Sequence, residues 1–260
     1  MLKNILVAVM LFSTSFLFSQ TITKQECDDK DEGYVYAGGE CINYAMFEGD
    51  DNDKLIIVVH GTWDEGSNVL GRYAPFAENL NMSTDLTTIA VALPGYSNSS
   101  LNKLKSIGSK EYNHQAATKE YVEFLEKLVI ALKDKYESKE ITIIGHSAGA
   151  MMSASLAGLN PELLKNIVLV AGRYERPDYA NDKHLLAIDV LDKMNKSSKF
   201  IMIYGTKDEI SKPSVTKDFY NKMKTEGLDV KLVEVKGAAH IDLDMTDKSV
   251  EAISSLFEEE

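Results

Sequence analysis

Short runs of branched apolar residues recur along this chain and alternate with stretches in which apolar residues have the spacing of one helix face. Most of the runs are continuous, which is typical of parallel strands that are buried on both faces. The runs that predict strands are 34–37, 41–47, 55–59, 87–92, 141–145, 166–171, 199–204 and 229–235, and the helical patterns cover 70–80, 113–136, 147–159, 181–195, 213–226 and 247–258. This alternation predicts an α/β fold with a doubly wound, mostly parallel sheet and helices on both faces.

Residues 1–20 have the features of a secretory signal peptide. Lys3 supplies the positive end, residues 5–12 form the apolar run, and small polar residues follow it. An uncleaved membrane anchor is the alternative, but serine and threonine interrupt the apolar stretch before it reaches the roughly 20 residues that span a bilayer. We therefore expect a secreted or periplasmic protein with no stable membrane insertion, in which residues 21–260 form a single domain.

The net charge and the motifs of the chain limit which partners and cofactors we expect. The formal net charge is −12 at pH 7, and it becomes −13 when Lys3 leaves with the signal. An acidic surface disfavours nucleic acid and anionic membranes as partners. The chain has no glycine-rich dinucleotide-binding fingerprint and no His-Glu-x-x-His pair, so we expect no cofactor and no metal ion.

The chain has two cysteines, Cys27 and Cys41, which flank the first predicted strand. An exported protein favours a disulfide between them, and two unpaired thiols are the alternative. Closing a loop of this length contributes about 3 kcal/mol in the chain-entropy picture. No further cysteine or histidine stands at metal-ligand spacing nearby, which argues against a metal site here.

The pentad Gly145-His-Ser-Ala-Gly149 stands between a predicted strand and a predicted helix. A tight strand-to-helix turn would hold the Ser147 hydroxyl above the carboxyl end of the sheet, at a helix N-terminus. Glycine suits both flanking positions because neighbouring backbone comes close in such a turn. A glycine-flanked serine that merely closes a loop is the alternative.

Two more polar residues follow predicted strands later in the chain. Asp208 comes after the run 199–204, and His240 comes after the run 229–235. Each taken alone fits a solvated turn or loop residue. Together with Ser147, they would lie at the same edge of a parallel sheet, where such folds form their sites. Asp178, after the run 166–171, is the alternative to Asp208 as the carboxylate at this edge.

These motifs in this order resemble an α/β-hydrolase of the serine esterase or lipase type, from about residue 33 to the C-terminus. The resemblance implies that Ser147 is the nucleophile, His240 the base and Asp208 the acid. It also implies an oxyanion hole formed by the backbone N–H groups of Thr62 and Ala148, with Trp63 as the alternative to Thr62. His60, at the start of the His-Gly motif, would then buttress this loop.

The pocket and its cover are predicted less directly. In the family resembled, cap domains are inserted where residues 174–198 stand here, and this segment has room for one helix, so we expect a minimal cap and an open site. Trp63, Tyr96 and His146 are the candidate pocket residues. Tyr96 equally fits an ordinary turn residue, and Trp63 equally fits packing against the neighbouring helix.

The resemblance implies cleavage of a carboxylic ester through an acyl-enzyme, on a small-molecule or polymer-borne substrate. A serine peptidase or amidase of the same fold is the close alternative, because one triad serves both reactions. A binding module that has lost its chemistry is the third reading. It would predict a broken triad, whereas every member is present in this sequence.

Overall fold

The computed structural model describes residues 21–30 and 32–258, so the predicted signal peptide lies outside the described residues. Among these residues, eight strands form one sheet with the order β1-β2-β4-β3-β5-β6-β7-β8. The strands are β1 Tyr34–Ala37, β2 Glu40–Phe47, β3 Asp51–Val59, β4 Leu86–Val91, β5 Glu140–His146, β6 Asn166–Val170, β7 Lys199–Gly205 and β8 Asp229–Val235. β2 pairs antiparallel with both β1 and β4. The strands from β3 to β8 run parallel to one another.

Five of the six α-helices among the described residues overlap a predicted helical pattern, and the first was not predicted. The helices are α1 Lys24–Asp28, α2 Leu70–Thr84, α3 Lys119–Lys135, α4 Ala148–Leu159, α5 Pro213–Thr225 and α6 Asp247–Ser254. The α/β-hydrolase fold expected from the sequence is thus confirmed. None of the helices in the described part of the chain combines the length and the apolar character of a membrane span.

The strand order explains where a site can form. β3 lies between β4 and β5, so the chain winds outward in opposite directions from this strand. Residues Val59 and Gly145, which end the regular pairing of β3 with β5, are register partners, so the loops that follow them leave the sheet side by side. Such a switch point opens a crevice at the carboxyl ends of the strands.

The helix predicted over 181–195 is wrong. This segment contains two short 3₁₀ turns, Ala187–Asp189 and Leu191–Lys193, between irregular backbone. Its backbone pairs with the start of α3, because Lys119 donates to the carbonyl of Lys183, and Leu185 donates to the carbonyl of Ala117. These long-range bonds replace the bonds of a continuous helix while the apolar side chains still pack into the core.

A disulfide joins Cys27 of α1 to Cys41 of β2, with 5.6 Å between their Cα atoms. The neighbouring Glu40 is fully buried, and its carboxylate accepts hydrogen bonds from the backbone of residues 102–104 and from the Ser100 hydroxyl. The N-terminal segment and the loop that follows β4 are therefore held together. That loop continues into residues 107–116, which border the candidate active site.

Candidate active site

Ser147 occupies the sharp turn between β5 and α4. Its backbone has φ 54° and ψ −113°, a conformation that a non-glycine residue rarely adopts. A Cβ on Gly145 would lie 2.4 Å from the Gly149 carbonyl oxygen, and one on Gly149 would lie 2.2 Å from the Val59 carbonyl oxygen. Both flanking glycines are therefore required by the close approach of backbone, as the pentad predicts.

The structure brings Ser147, Asp208 and His240 together at the carboxyl edge of the sheet. His240 Nε2 lies 2.9 Å from Ser147 Oγ, and His240 Nδ1 lies 2.8 Å from Asp208 Oδ2. The Asp208 side chain is fully buried, and the His240 side chain is 12% exposed. The three groups thus form one hydrogen-bonded chain that reaches the solvent at Ser147.

His240 reaches Ser147 because its loop turns back over the sheet. β8 is three strands away from β5, about 14 Å at the usual strand spacing. The loop after β8 crosses directly over the end of β7, where a Cβ on Gly205 would lie 2.4 Å from the Ala238 carbonyl oxygen. Lys207 donates to that carbonyl at 2.9 Å, which ties the histidine loop to the loop of the acid.

Asp208 is held so that one oxygen remains for the histidine. Its Oδ1 accepts hydrogen bonds from the backbone N–H groups of Ile210 and Ser211, at 2.9 and 2.7 Å. Oδ2 accepts from His240 Nδ1–H. This contact selects the tautomer in which the lone pair of His240 Nε2 faces the Ser147 hydroxyl, as a general base requires.

Thr62 and Ala148, the candidate oxyanion donors, both line the same cleft. Thr62 follows β3, and Ala148 is the first residue of α4. Within the described part of the chain, neither N–H donates to a protein acceptor. Both are free for a substrate oxygen, and the N-terminus of α4 adds a favourable partial positive charge there.

The family model for the alpha/beta hydrolase fold matches residues 54–193. This chain belongs to the alpha/beta hydrolase fold family. The match spans the loop that follows β3 and the Ser147 turn, but it ends before Asp208 and His240. A search of the curated protein sequences finds no match.

Solved structures share the same fold at low sequence identity. An esterase from Pyrococcus furiosus superposes with a TM-score of 0.67 and 16% identity, over 91% of this chain and 95% of the esterase. A monoacylglycerol lipase from Paleococcus ferrophilus gives 0.60 and 15%, over 83% and 98% of the two chains. A thioesterase domain from the curacin biosynthetic pathway gives 0.59 and 14%, over 87% and 98%. At these identities the likeness establishes the fold alone.

In this hydrolase-fold protein, His60 supports the loop that follows β3 and contains Thr62. Its ring is fully buried, and burial lowers its pKa to about 4, so it is neutral at pH 7. Nε2 accepts from the backbone N–H of Leu93 at 3.0 Å, so Nδ1 carries the proton and donates to the Gly61 carbonyl at 2.7 Å. That carbonyl belongs to the same planar peptide as the Thr62 N–H, so His60 fixes the direction in which this N–H points.

Tyr96 does not line the pocket, so that prediction is wrong. Its side chain is fully buried, its ring packs edge-on against His60, and its hydroxyl donates to the Trp63 carbonyl at 2.6 Å. Tyr96 thus supports the loop that follows β3 instead of lining the cleft. Trp63 also lies outside the cleft lining, and its half-buried ring packs under the guanidinium of Arg72.

His146 is also absent from the pocket wall, contrary to the prediction. Its ring is buried, and Nε2 donates to the backbone carbonyl of His240 at 2.9 Å. Nδ1 then accepts from the Tyr73 hydroxyl at 2.9 Å. Burial lowers the pKa of His146, which favours the neutral ring that this pattern requires.

A charged side chain that the sequence does not reveal lies beneath the loop that carries His240. Arg72 of α2 donates to the Ile241 carbonyl, to Asp242 at 2.8 Å and to Asp244 at 3.4 Å. The Asp244 side chain is only 1% exposed, and burial raises its pKa. Nothing in the local pattern of α2 marks Arg72. The rarity of arginine in this chain, with three in all, is the one signal that would have drawn attention to it.

The cleft above Ser147 has a volume of about 530 Å³. Its walls come from the 107–116 and 171–179 segments and from the loop after Asp208. Arg173 is part of the wall, whereas Arg176 pairs with Asp189 outside it. Asp178, the alternative acid, is exposed and makes no hydrogen bond to His240.

Proposed function

We propose that this protein is a serine hydrolase that cleaves carboxylic esters. The observation that carries the proposal is the continuous contact from Ser147 Oγ through the His240 ring to Asp208, at 2.9 and 2.8 Å. A nucleophile, a base and a group that orients the base are thereby within hydrogen-bond reach of one another.

In the proposed reaction, Ser147 Oγ attacks the ester carbonyl carbon while His240 Nε2 takes the hydroxyl proton. The N–H groups of Thr62 and Ala148 stabilise the negative charge that develops on the carbonyl oxygen. His240 then returns the proton to the leaving alkoxide, which departs as an alcohol and leaves an acyl group on Ser147. Water, activated in turn by His240, hydrolyses this acyl-enzyme and releases the acid. Asp208 stabilises the imidazolium in both halves of the cycle.

We propose esters rather than amides as substrates because of the segment beside the cleft in which this family inserts its cap domains. Within the described residues, the 174–198 segment contains two short 3₁₀ turns and no α-helix, so it offers less of a cap than a peptidase would use to bind a peptide chain. The similar solved structures include proteins described as an esterase and a lipase, which supports the same choice. Amide cleavage remains the competing outcome of the test.

The test is hydrolysis of 4-nitrophenyl esters of graded chain length beside a panel of peptide anilides, with wild type and Ser147→Ala. We expect ester turnover that the substitution abolishes, and labelling by a fluorophosphonate that mass spectrometry locates on Ser147. Equal ester turnover in both proteins would rule out Ser147 as nucleophile. Turnover of anilides alone would make the protein an amidase.

We also propose that the mature protein is exported. The signal-like residues 1–20 and the disulfide between Cys27 and Cys41 support this location, because disulfides persist in oxidising compartments. N-terminal sequencing of the protein from a native fractionation checks it. A mature N-terminus near residue 21 outside the cytoplasm is expected, and an intact N-terminus in the cytoplasm would contradict it.

A further inference from the structure

The three arginines of the chain have different hydrogen-bond partners, and Arg173 is the one that pairs with no carboxylate among the described residues. Arg72 contacts Asp242 and Asp244, and Arg176 binds both oxygens of Asp189 at 2.9 Å. Arg173 donates from Nη2 to the backbone carbonyl of Ile210 at 2.8 Å. Within the described residues it forms no ion pair, although the chain contains 40 aspartate and glutamate residues.

This guanidinium lies in the wall of the cleft that holds Ser147 and His240. The Ile210 carbonyl restrains its position without neutralising its charge, and its other N–H groups have no protein acceptor among the described residues. Lys110 lines the same cleft. No aspartate or glutamate side chain lines it in the part of the chain that the structure describes, so a positive site lies within an acidic protein.

An aromatic stack connects the two segments that carry these cations. The rings of His114 and Tyr179 lie 3.5 Å apart between centroids and 11° from parallel. His114 follows Lys110 on one segment, and Tyr179 follows Arg173 on the other. The stack joins the segments at the cleft and so limits how far Lys110 and Arg173 can move apart.

We propose that the cleft selects esters that carry a carboxylate group, with Arg173 as the specificity-determining residue. The inference rests on the proposed ester hydrolysis. The planar guanidinium presents parallel N–H donors that match the two oxygens of a carboxylate, whereas Lys110 contributes a point charge. Among the described residues Arg173 has no ion-pair partner, so its guanidinium is available to the substrate.

The test compares two matched pairs of esters. In one pair the carboxylate is on the acyl side of the scissile bond, and in the other it is on the alcohol side. Mono-4-nitrophenyl adipate and 4-nitrophenyl hexanoate place it on the acyl side. 4-Acetoxybenzoate and 4-acetoxybenzamide place it on the alcohol side. The measured quantity is kcat/KM for the anionic ester divided by kcat/KM for the neutral one. Both substrates are assayed on the same preparation, so a loss of folded enzyme cancels in the ratio.

In Arg173→Gln we expect this ratio to fall about five- to twentyfold in at least one pair, and in Lys110→Gln about two- to threefold. Raising the ionic strength should lower the ratio of the wild type more than that of Arg173→Gln, in which only Lys110 still attracts the carboxylate. Arg176→Gln is the matched control, because it removes the same charge from an arginine that pairs with Asp189 outside the cleft. Its ratio should equal that of the wild type.

An unchanged ratio in Arg173→Gln for both pairs would overturn the inference. An equal fall in Arg176→Gln would also overturn it, because the effect would then come from the net charge of the protein. If neutral esters are cleaved in either of these cases, the proposed hydrolysis stands and the selectivity alone fails. If the wild type cleaves none of the four esters and Ser147 is not labelled, both proposals fail.

Discussion

His146 Nε2 donates a hydrogen bond to the backbone carbonyl of His240, at 2.9 Å. The residue before the candidate nucleophile therefore holds the backbone of the candidate base. Tyr73, whose hydroxyl lies 2.9 Å from His146 Nδ1, fixes the tautomer of His146 from the other side. The two histidines thus form a structural unit in which the ring of His240, and not that of His146, hydrogen-bonds to the Ser147 hydroxyl.

We expect His146→Ala to lower kcat for ester hydrolysis about 10- to 100-fold with little change in KM, because a small displacement of the His240 ring weakens proton transfer more than substrate binding. His146→Gln, whose amide can donate to the same carbonyl, should recover part of the loss. Steady-state kinetics on a 4-nitrophenyl ester measure both. A wild-type kcat in His146→Ala would show that this bond does not position His240.

Arg72 and Asp244 supply the second prediction. Replacing Arg72 with glutamine leaves the buried carboxylate of Asp244 without its cation, and we expect the free energy of unfolding to fall by about 3 kcal/mol. The double variant Arg72→Gln/Asp244→Asn removes both charges and should be more stable than Arg72→Gln alone. Denaturant unfolding measures each value. Equal stability of the single and double variants would mean that the unpaired carboxylate of Asp244 carries no penalty, which would contradict the prediction.

The stability of the protein should fall as the pH drops from about 6.5 to 4. Burial lowers the pKa of His60 from 6.5 to about 4, so in this window the unfolded chain binds a proton that the folded protein does not. The full effect of this one residue is about 3 kcal/mol. Burial lowers the pKa of His146 as well, which acts in the same direction.

The control for the pH prediction is His60→Gln, which cannot titrate and whose amide oxygen can still accept from the Leu93 N–H. We expect it to be less stable than the wild type at pH 7 but to lose less stability on acidification. Urea unfolding at half-unit steps of pH gives the two slopes. Equal slopes would show that His60 does not titrate in this range.

Glu40 should stabilise the loop that leads to the cleft. Its carboxylate accepts from the backbone N–H groups of Asn102, Lys103 and Leu104 at 2.8, 2.6 and 2.9 Å. Glu40→Gln turns an N–H₂ group toward these donors, and we expect a loss of about 2–3 kcal/mol in the free energy of unfolding. The substitution should also accelerate amide hydrogen exchange more in residues 97–110 than in the rest of the protein.

Glu78 is exposed and makes no hydrogen bond to another described residue, so Glu78→Gln is the matched control and should change the stability by less than about 0.5 kcal/mol. Uniformly faster exchange in Glu40→Gln would contradict a local role for Glu40.

Much of the fold was predictable because it is encoded locally. The predicted strands begin and end within one or two residues of the observed strands, except that β3 begins four residues before its predicted run. The strand-turn-helix position of Ser147 follows from glycines whose absent side chains leave room for neighbouring backbone. Thr23 starts the short helix α1, which the apolar pattern does not reveal because only Cys27 of that helix is buried.

The residues that position the candidate site could not be predicted in the same way. The 181–195 segment has helical spacing, yet bonds to residues 117 and 119 give it another backbone. The sequence positions of Tyr96, in the turn after β4, and of His146, beside Ser147, predict pocket residues, whereas both side chains are buried and hold the loops of Thr62 and His240.

The sequence by itself determined the order of strands and helices and the places at which polar residues leave the sheet, because apolar spacing and turn chemistry act within a few residues. Only the tertiary structure decided which buried side chain supports which loop. Those contacts join residues 30 to 170 positions apart, and their partners are set by how the elements pack, which no local pattern records.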